Sequence, residues 1–320
     1  MNGFPLRRQV LTSWPAAGTR RRQLARSVRG NLVAYLFLGP WLVGLVGLTL
    51  GPTLASLYLS LTRFDLLSPP RFVGLDNYTN MLADPRYWQS VRVTFTYVFL
   101  EVPLKLGFAL LVAVLLNRSL RGIGLYRAAF YVPSLLGGSV AIAILWRQLF
   151  GPQGIVNDGL RLLGWSHPAP WLVDPRFALY TLVLLGVWQF GSPMLIFLAG
   201  LRQIPREFYE AAEVDGAGRL SQFSRITLPL LTPVIFFNLV LQMIGTFQTF
   251  TPAYIVSGGN GGPVDSTLFY TLYLYLQGFG RLHMGFAAAM AWALLLTIAA
   301  FTALTFGSAR HWVFYLDRKA

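Results

Sequence analysis

The chain has 320 residues, 55% of them hydrophobic and only 12% charged, with a mean hydropathy of +0.54. Soluble domains carry about 25% charged residues, so this composition excludes a soluble globular protein, a disordered chain and a collagen-like one, and points to a polytopic membrane protein. The formal net charge is +14, from 24 Arg, two Lys and 12 acids, and the lack of cysteine excludes disulfides, thiol catalysis and Cys-ligated metals.

Residues 1–30 form a basic tail in which Arg20, Arg21, Arg22, Arg26 and Arg29 abut the first apolar run. This pattern reads as a topology signal in contact with lipid headgroups, ahead of a nucleic-acid-binding arm. A cleaved signal peptide is not expected, because the apolar run far exceeds the roughly 7–15 residues of a signal core. A span needs about 20 mostly apolar residues to cross the hydrocarbon with its backbone hydrogen bonds satisfied internally. Six segments qualify: 30–62, 93–117, 128–146, 177–201, 226 to about Val256, and 284–309. The second is apolar except for Glu101 and Lys105, and the fifth is closed by the Gly-rich turn 257–263. Residues 266–280 are too short and too aromatic to cross, and suit a helix lying at the interface.

The expected fold class is therefore all-α, a six-span membrane domain over 31–309 between the basic tail and a C-terminal tail at 310–320. With an even number of spans both termini share one side. That side carries 17 Lys and Arg in its loops and tails against seven on the other, which predicts that both termini are cytoplasmic.

Several chemistries are missing. A GxxxxGK[ST] phosphate loop needs a Gly-Lys pair, and Lys105 and Lys319 follow Leu104 and Arg318. His167, His283 and His311 are scattered without metal-ligand spacing, and neither GxSxG nor HExxH occurs. An enzyme is not expected, and no cofactor is expected on this chain. Glu101 and Lys105 sit at i, i+4 inside the second span, with Glu on the N-terminal side as a helical ion pair prefers. They read either as a mutually neutralising structural pair or as an ion site of a self-sufficient secondary transporter. Arg147, near its span's outer end, can snorkel.

The strongest signal lies in the loop 202–225. Pro205 suits the start of a short helix, Glu207 and Glu210 its positive end, and Gly216 and Gly218 a stop or a close approach. Four acids among the five charges between Arg206 and Asp215 argue against an anionic membrane surface as the partner. Glu210, Ala211 and Ala212, then Gly216, Ile226, Leu228 and Pro229, follow the spacing Glu-Ala-Ala, three residues, Gly, nine residues, Ile-x-Leu-Pro.

That spacing resembles the EAA loop of the binding-protein-dependent ABC importer permeases. The likeness extends over nearly the whole chain after the tail. Phe72-Val73-Gly74-Leu75-Asp76-Asn77-Tyr78 is similar to the FxGLxNY segment of the carbohydrate-uptake branch. Gly261-Gly262-Pro263 with Ser266 and Thr267, and the Met284-Gly285-Phe286 start of the last span, are similar to segments of the same branch. The end Trp312-Val313-Phe314-Tyr315 resembles that of the first of two paired permeases, of the maltose or glycerol-3-phosphate type. The chain departs from the maltose first permease in lacking its large insertion and in having six spans rather than eight.

The resemblance implies a type I importer permease in the inner membrane that carries a sugar. It implies pairing with a second, homologous permease, two ATPase subunits that bind ATP and Mg, and an extracytoplasmic solute-binding protein. The EAA helix would dock on the ATPase, with Glu210 making a charged contact and Gly216 permitting the turn. A permease for another small solute stays open. An ungapped match to the maltose-type sugar contacts falls on Leu185, Trp188, Gln189, Ser192, Gln242, Gly245, Thr246 and Thr249. Leu185 is apolar where the maltose permease has an amide, which implies a different sugar or pose. On the residues alone, Gln242, Thr246 and Thr249 share a helix face that Asn238 continues, and they either line a path or glue helices together.

Overall fold

A computed structural model describes residues 34–117, 122–165 and 169–314. The tail 1–30, Arg118, Arg121, His167 and the end from Tyr315 onward lie outside the described residues. The chain divides into two compact units, Met1–Tyr58 and Leu59–Ala320. The described part of the first unit belongs to helix α1 (Ala34–Ser60), which is apolar around its whole circumference, as a lipid-facing span is.

The second unit opens with a two-residue ribbon. Strand β1 (Thr62–Arg63) pairs antiparallel with β2 (Arg71–Phe72), Thr62 facing Phe72, and α2 (Asp76–Ala83) follows. Helix α3 (Pro85–Leu116) is the central element. Its N-terminus carries both devices that start helices: Asp84 accepts from the Arg86 N–H at 2.9 Å, and Pro85 occupies a position where no N–H is needed. It begins eight residues before the expected run because capping and the ring of Tyr87, not hydropathy, set its start. At 1.5 Å per residue it is about 48 Å long, well beyond the ~30 Å hydrocarbon core.

The third expected span is not one straight helix. Helices α4 (Ile123–Leu136) and α5 (Val140–Leu149) meet at 98°. Gly137 and Gly138 interrupt the run, and Ser139 restarts it, its Oγ accepting from the Ile142 N–H at 3.3 Å. After the short α6 (Ile155–Leu162), the fourth span is also bent. Helices α7 (Pro175–Trp188) and α8 (Gly191–Gln203) meet at 42°. Pro193, in the first turn of α8, has no N–H to continue the ladder of α7.

Helix α9 (Arg206–Val214) is the EAA helix. Helix α10 (Arg219–Phe247) starts before the expected span and ends at Phe247 rather than near Val256; Gln248 caps it, and α11 (Thr251–Val256) is a separate short helix. Pro252 restarts the chain there as a first-turn proline. Residues 266–280 contain α12 (Tyr270–Tyr275) and a wide turn Leu276–Gly280, and α13 (Met284–Trp312) closes the fold. Rather than lying free at an interface, α12 is packed into protein, with Leu272 and Tyr273 almost fully buried.

Two apolar cores flank α3. One joins Tyr97, Leu182, Phe269, Tyr273 and Met290, from α3, α7, α12 and α13 and the residue before α12. The other joins Val102, Phe197, Leu231 and Phe247, from α3, α8 and α10. The flanking motifs act as fasteners between these elements. Asn77 donates to the Ser60 and Thr62 carbonyls at 2.8 Å each, and Gly285 donates to the Phe64 carbonyl at 3.2 Å. A Cβ at Gly285 would lie 2.0 Å from the Thr62 carbonyl oxygen, so only glycine admits that crossing.

Candidate functional site

The EAA segment folds as a discrete surface helix. Pro205 is its N-cap rather than its first residue, and Glu207 lies in the first turn. Glu210 and Ala211 are exposed and Ala212 is half-buried. Gly216, at φ +77°, ends the helix: its N–H reaches the Glu213 carbonyl at 3.0 Å and the Ala217 N–H reaches the Ala212 carbonyl at 2.8 Å. These two bonds make the Schellman motif, whose left-handed residue is unfavourable for any side chain but glycine's. Gly218 then caps the start of α10. Helix α9 is held to α10 through Tyr209, whose hydroxyl lies 2.9 Å from Thr227 Oγ1, with Thr227 buried. Ile226 is half-buried, Leu228 is exposed, and Pro229 offers its carbonyl to Thr232 Oγ1 at 2.7 Å. Thr232 also accepts from the Phe314 N–H at 2.9 Å, so the residues just after α13 are fastened to the same helix.

The breaks in the bent helices create the second feature. Ser134 Oγ donates to the Gln189 carbonyl at 2.8 Å and accepts from the Ser192 N–H at 2.9 Å, bridging the gap between α7 and α8 from the neighbouring α4. Gly191 permits that approach, since a Cβ there would lie 2.6 Å from the Phe130 carbonyl oxygen. The Gln189 side chain fills the notch at Gly137, where a Cβ would fall 2.2 Å from its Cδ.

Beside these breaks lies a cavity of about 310 Å³. Gln189, Gln242, Gly245, Thr246 and Thr249 line it, together with Tyr97, Gly186 and Gln248. Thr249 falls after the end of α10, so the three expected residues converge through a turn rather than along one helix face. Trp188 and Ser192 stand outside the lining. Trp188 is half-buried near Trp146, with ring centroids 6.1 Å apart, and Ser192 serves the break through its backbone. Leu185 is fully buried, and its carbonyl accepts from Gln189 Nε2 at 3.3 Å. Asn238 lies away from the cavity, wholly buried, and donates to the Pro193 carbonyl at 3.4 Å, a tie between α10 and α8.

Glu101 and Lys105 also line the cavity. Lys105 Nζ is 3.1 Å from Glu101 Oε1, and Thr246 Oγ1 donates to Glu101 Oε2 at 2.9 Å. Glu101 is only 2% exposed, with Gly186 making room for its Cγ. The pair is visible in the sequence, but its third partner lies 145 residues away and no spacing rule reveals it. Stranding a buried carboxylate by removing its cation typically costs about 3–5 kcal/mol.

The opposite end of the helices is self-contained. Arg86 forks onto Asp265 with contacts of 2.9 and 2.7 Å. The Tyr273 hydroxyl donates to Asp84 and accepts from Gln277. Burial first, then the Asp84 contact, pushes Tyr273 up to about 12, so it remains a donor there.

Bent helices thus border a polar cavity, and an exposed acidic helix projects from the loop. Residues 89–314 match the family described as binding-protein-dependent transport system inner membrane component, and the chain belongs to that family. It is 51% identical over 94% of its length to a probable ABC transporter permease protein, YesP, of Bacillus subtilis (strain 168), covering 98% of that protein. It is 34% identical to the lactose transport system permease protein LacF of Rhizobium radiobacter, covering 92% of this chain and 99% of that one. Its fold matches a chain in the crystal structure of a bacterial alginate ABC transporter in complex with an alginate pentasaccharide-bound periplasmic protein. There the TM-score is 0.78 at 18% identity, over 90% of this chain and 97% of the other.

Proposed function

We propose that this chain is one of two permease subunits of an ATP-driven sugar importer, and that α9 is the helix through which ATP hydrolysis drives transport. The carrying observation is the exposed acidic helix Arg206–Val214, closed by the Gly216 turn and tied to α10 through Tyr209. A helix with four acids in its neighbourhood and a small-residue face seeks a basic protein groove, not an anionic membrane. Glu210, Ala211, Ala212 and Gly216 form the ATPase contact, and Ile226, Leu228 and Pro229 carry the movement into α10. A second, homologous permease completes a heterodimer, two ATPase subunits hold ATP and Mg, and an extracytoplasmic binding protein delivers the sugar. Both termini and α9 are cytoplasmic. The sugar, suggested by relatives such as LacF, passes the cavity lined by Gln189, Gln242, Gly245, Thr246 and Thr249. Trp188 and Ser192, expected on the path, are adjacent in sequence to the lining residue Gln189 or within three residues of it.

Reconstitution in proteoliposomes with a partner ATPase, second permease and binding protein tests this reading. Uptake should require ATP and the loaded binding protein. Uptake by the lone chain on an ion gradient would overturn it in favour of a secondary transporter. Orientation is tested with single cysteines, which meet no background. A cysteine replacing Glu213 should resist an impermeant thiol reagent in intact cells, and one replacing Asn260 should react; the reverse pattern would invert the topology.

A further inference from the structure

We propose that Lys105 binds the transported solute, donating ammonium hydrogens to its oxygen atoms, and that Glu101 is the residue that positions Lys105. This rests on the reading of the cavity as the solute path.

The chain uses arginine 24 times and lysine twice, and one of the two lysines sits inside a span. Lysine is a compact charge with three rotatable donors on a flexible stem, suited to a ligand whose pose changes as it moves. A pair kept only for packing gains nothing from facing water, since a buried ion pair is replaceable by apolar side chains at little or no cost. This pair borders an open polar cavity, and its two members are placed unequally. Glu101 is 2% exposed and both of its oxygens are engaged, Oε1 by Lys105 and Oε2 by Thr246. Lys105 is 12% exposed, and Glu101 is its one acceptor among the described residues. Glu101 engages one of the three ammonium hydrogens, and Gln189 and Gln242 line the same cavity as Lys105. The carboxylate is held from α3 and α10 at once, with both oxygens engaged, so it fixes the ammonium. The ligand chemistry that completes this arrangement is an acceptor oxygen: a hydroxyl or ring oxygen of a neutral sugar, or the carboxylate of an acidic one.

The test uses the reconstituted complex with ATPase, second permease and binding protein. Lys105→Met alone strands a buried carboxylate and can fail to assemble for that reason. The double variant Glu101→Gln/Lys105→Met removes both charges and keeps an acceptor for Thr246. The probes are a neutral oligosaccharide and its uronic-acid counterpart. The double variant should assemble, judged by co-purification with the ATPase and second permease, yet lose uptake about ten- to a hundredfold, as expected for a lost charge-assisted hydrogen bond. Lys105→Arg should recover part of that loss. Glu101→Gln alone should alter the preference between the two probes without altering assembly. A loss confined to the acidic probe identifies a carboxylate as the ligand group, and an equal loss identifies hydroxyl oxygens. If the double variant transports both probes as the parent does, or fails to assemble, the pair is structural and the proposal falls. If the parent itself takes up neither probe with ATP and the binding protein, the solute-path reading falls and this inference with it.

Discussion

The EAA segment and the Gly-rich segment 257–267 are both short, glycine-punctuated and recognisable by motif, yet their side chains are used in opposite ways. In the Gly-rich segment most polar groups are spent inside the loop: Asn260 Oδ1 accepts from the Gly262 N–H and Ser257 Oγ from the Gly261 N–H, while Ser266 Oγ is buried without a partner among the described residues. Thr267 is 1% exposed, donates from Oγ1 to the Gly262 carbonyl at 2.7 Å and from its N–H to the Gly261 carbonyl at 3.0 Å. Asp265 anchors the loop to Arg86 on α3. In the EAA segment only the backbone of Ala212, Glu213 and Gly216 is spent on the turn, while Glu210 and Ala211 are left outward. A motif whose side chains are consumed internally specifies a fold; one whose side chains remain outward specifies a partner.

The comparison is tested most severely by Gly285→Leu, at the fastener between β1 and α13. Its side chain would have to occupy space held by the Thr62 carbonyl, so a loss of about 3 kcal/mol or more is expected. The variant should be depleted from membranes and unfold earlier in detergent; normal accumulation would show that the crossing tolerates separation. Glu210→Lys should do the reverse. The site is exposed, so stability should change by less than about 0.5 kcal/mol. ATP-driven uptake should nonetheless fall at least tenfold with weaker ATPase association, measured by co-purification. Retained uptake would remove α9 from the coupling role.

Smaller effects sharpen the contrast. Gly216→Ala forces a β-carbon into a left-handed turn and should cost about 1 kcal/mol, read as lower thermal stability, with uptake reduced more than stability alone explains. Arg86→Gln should cost at most about 1 kcal/mol, since the pair with Asp265 is about a third exposed and partly screened. Its uptake should stay parental, because that pair serves the fold. A transport defect in Arg86→Gln without a stability change would erase the distinction between the two ends.

Hydropathy located α1, α3 and α13 because long unbroken spans differ from everything else in the chain. It found the run at 128–146 but not its bend, and set the end of α10 too late, because it does not register direction: Gly137, Gly138 and Pro252 are uncharged and pass unnoticed in an apolar run, although they turn the chain. The EAA helix was legible through spacing, since the reach of a Schellman turn is a local property. The cavity was legible only in part. Gln189, Gln242, Gly245, Thr246 and Thr249 converge on it, but the bond from Thr246 to Glu101 depends on how α3 and α10 cross. Trp188 and Ser192 are not among its lining: Trp188 lies near Trp146, and the Ser192 N–H donates to Ser134 Oγ across the break, a use of the backbone that side-chain type does not reveal.

The Gln189 side chain lodged in the notch at Gly137 ties the two bends to each other. Ser134, on the helix that ends at that notch, grips both sides of the gap between α7 and α8. Straightening either bend would have to unseat the glutamine or break the two bonds of the serine. The pair of bends is therefore a latch with one pin rather than two independent joints. Since Gln189 also faces the cavity, whatever contacts it there touches the pin itself.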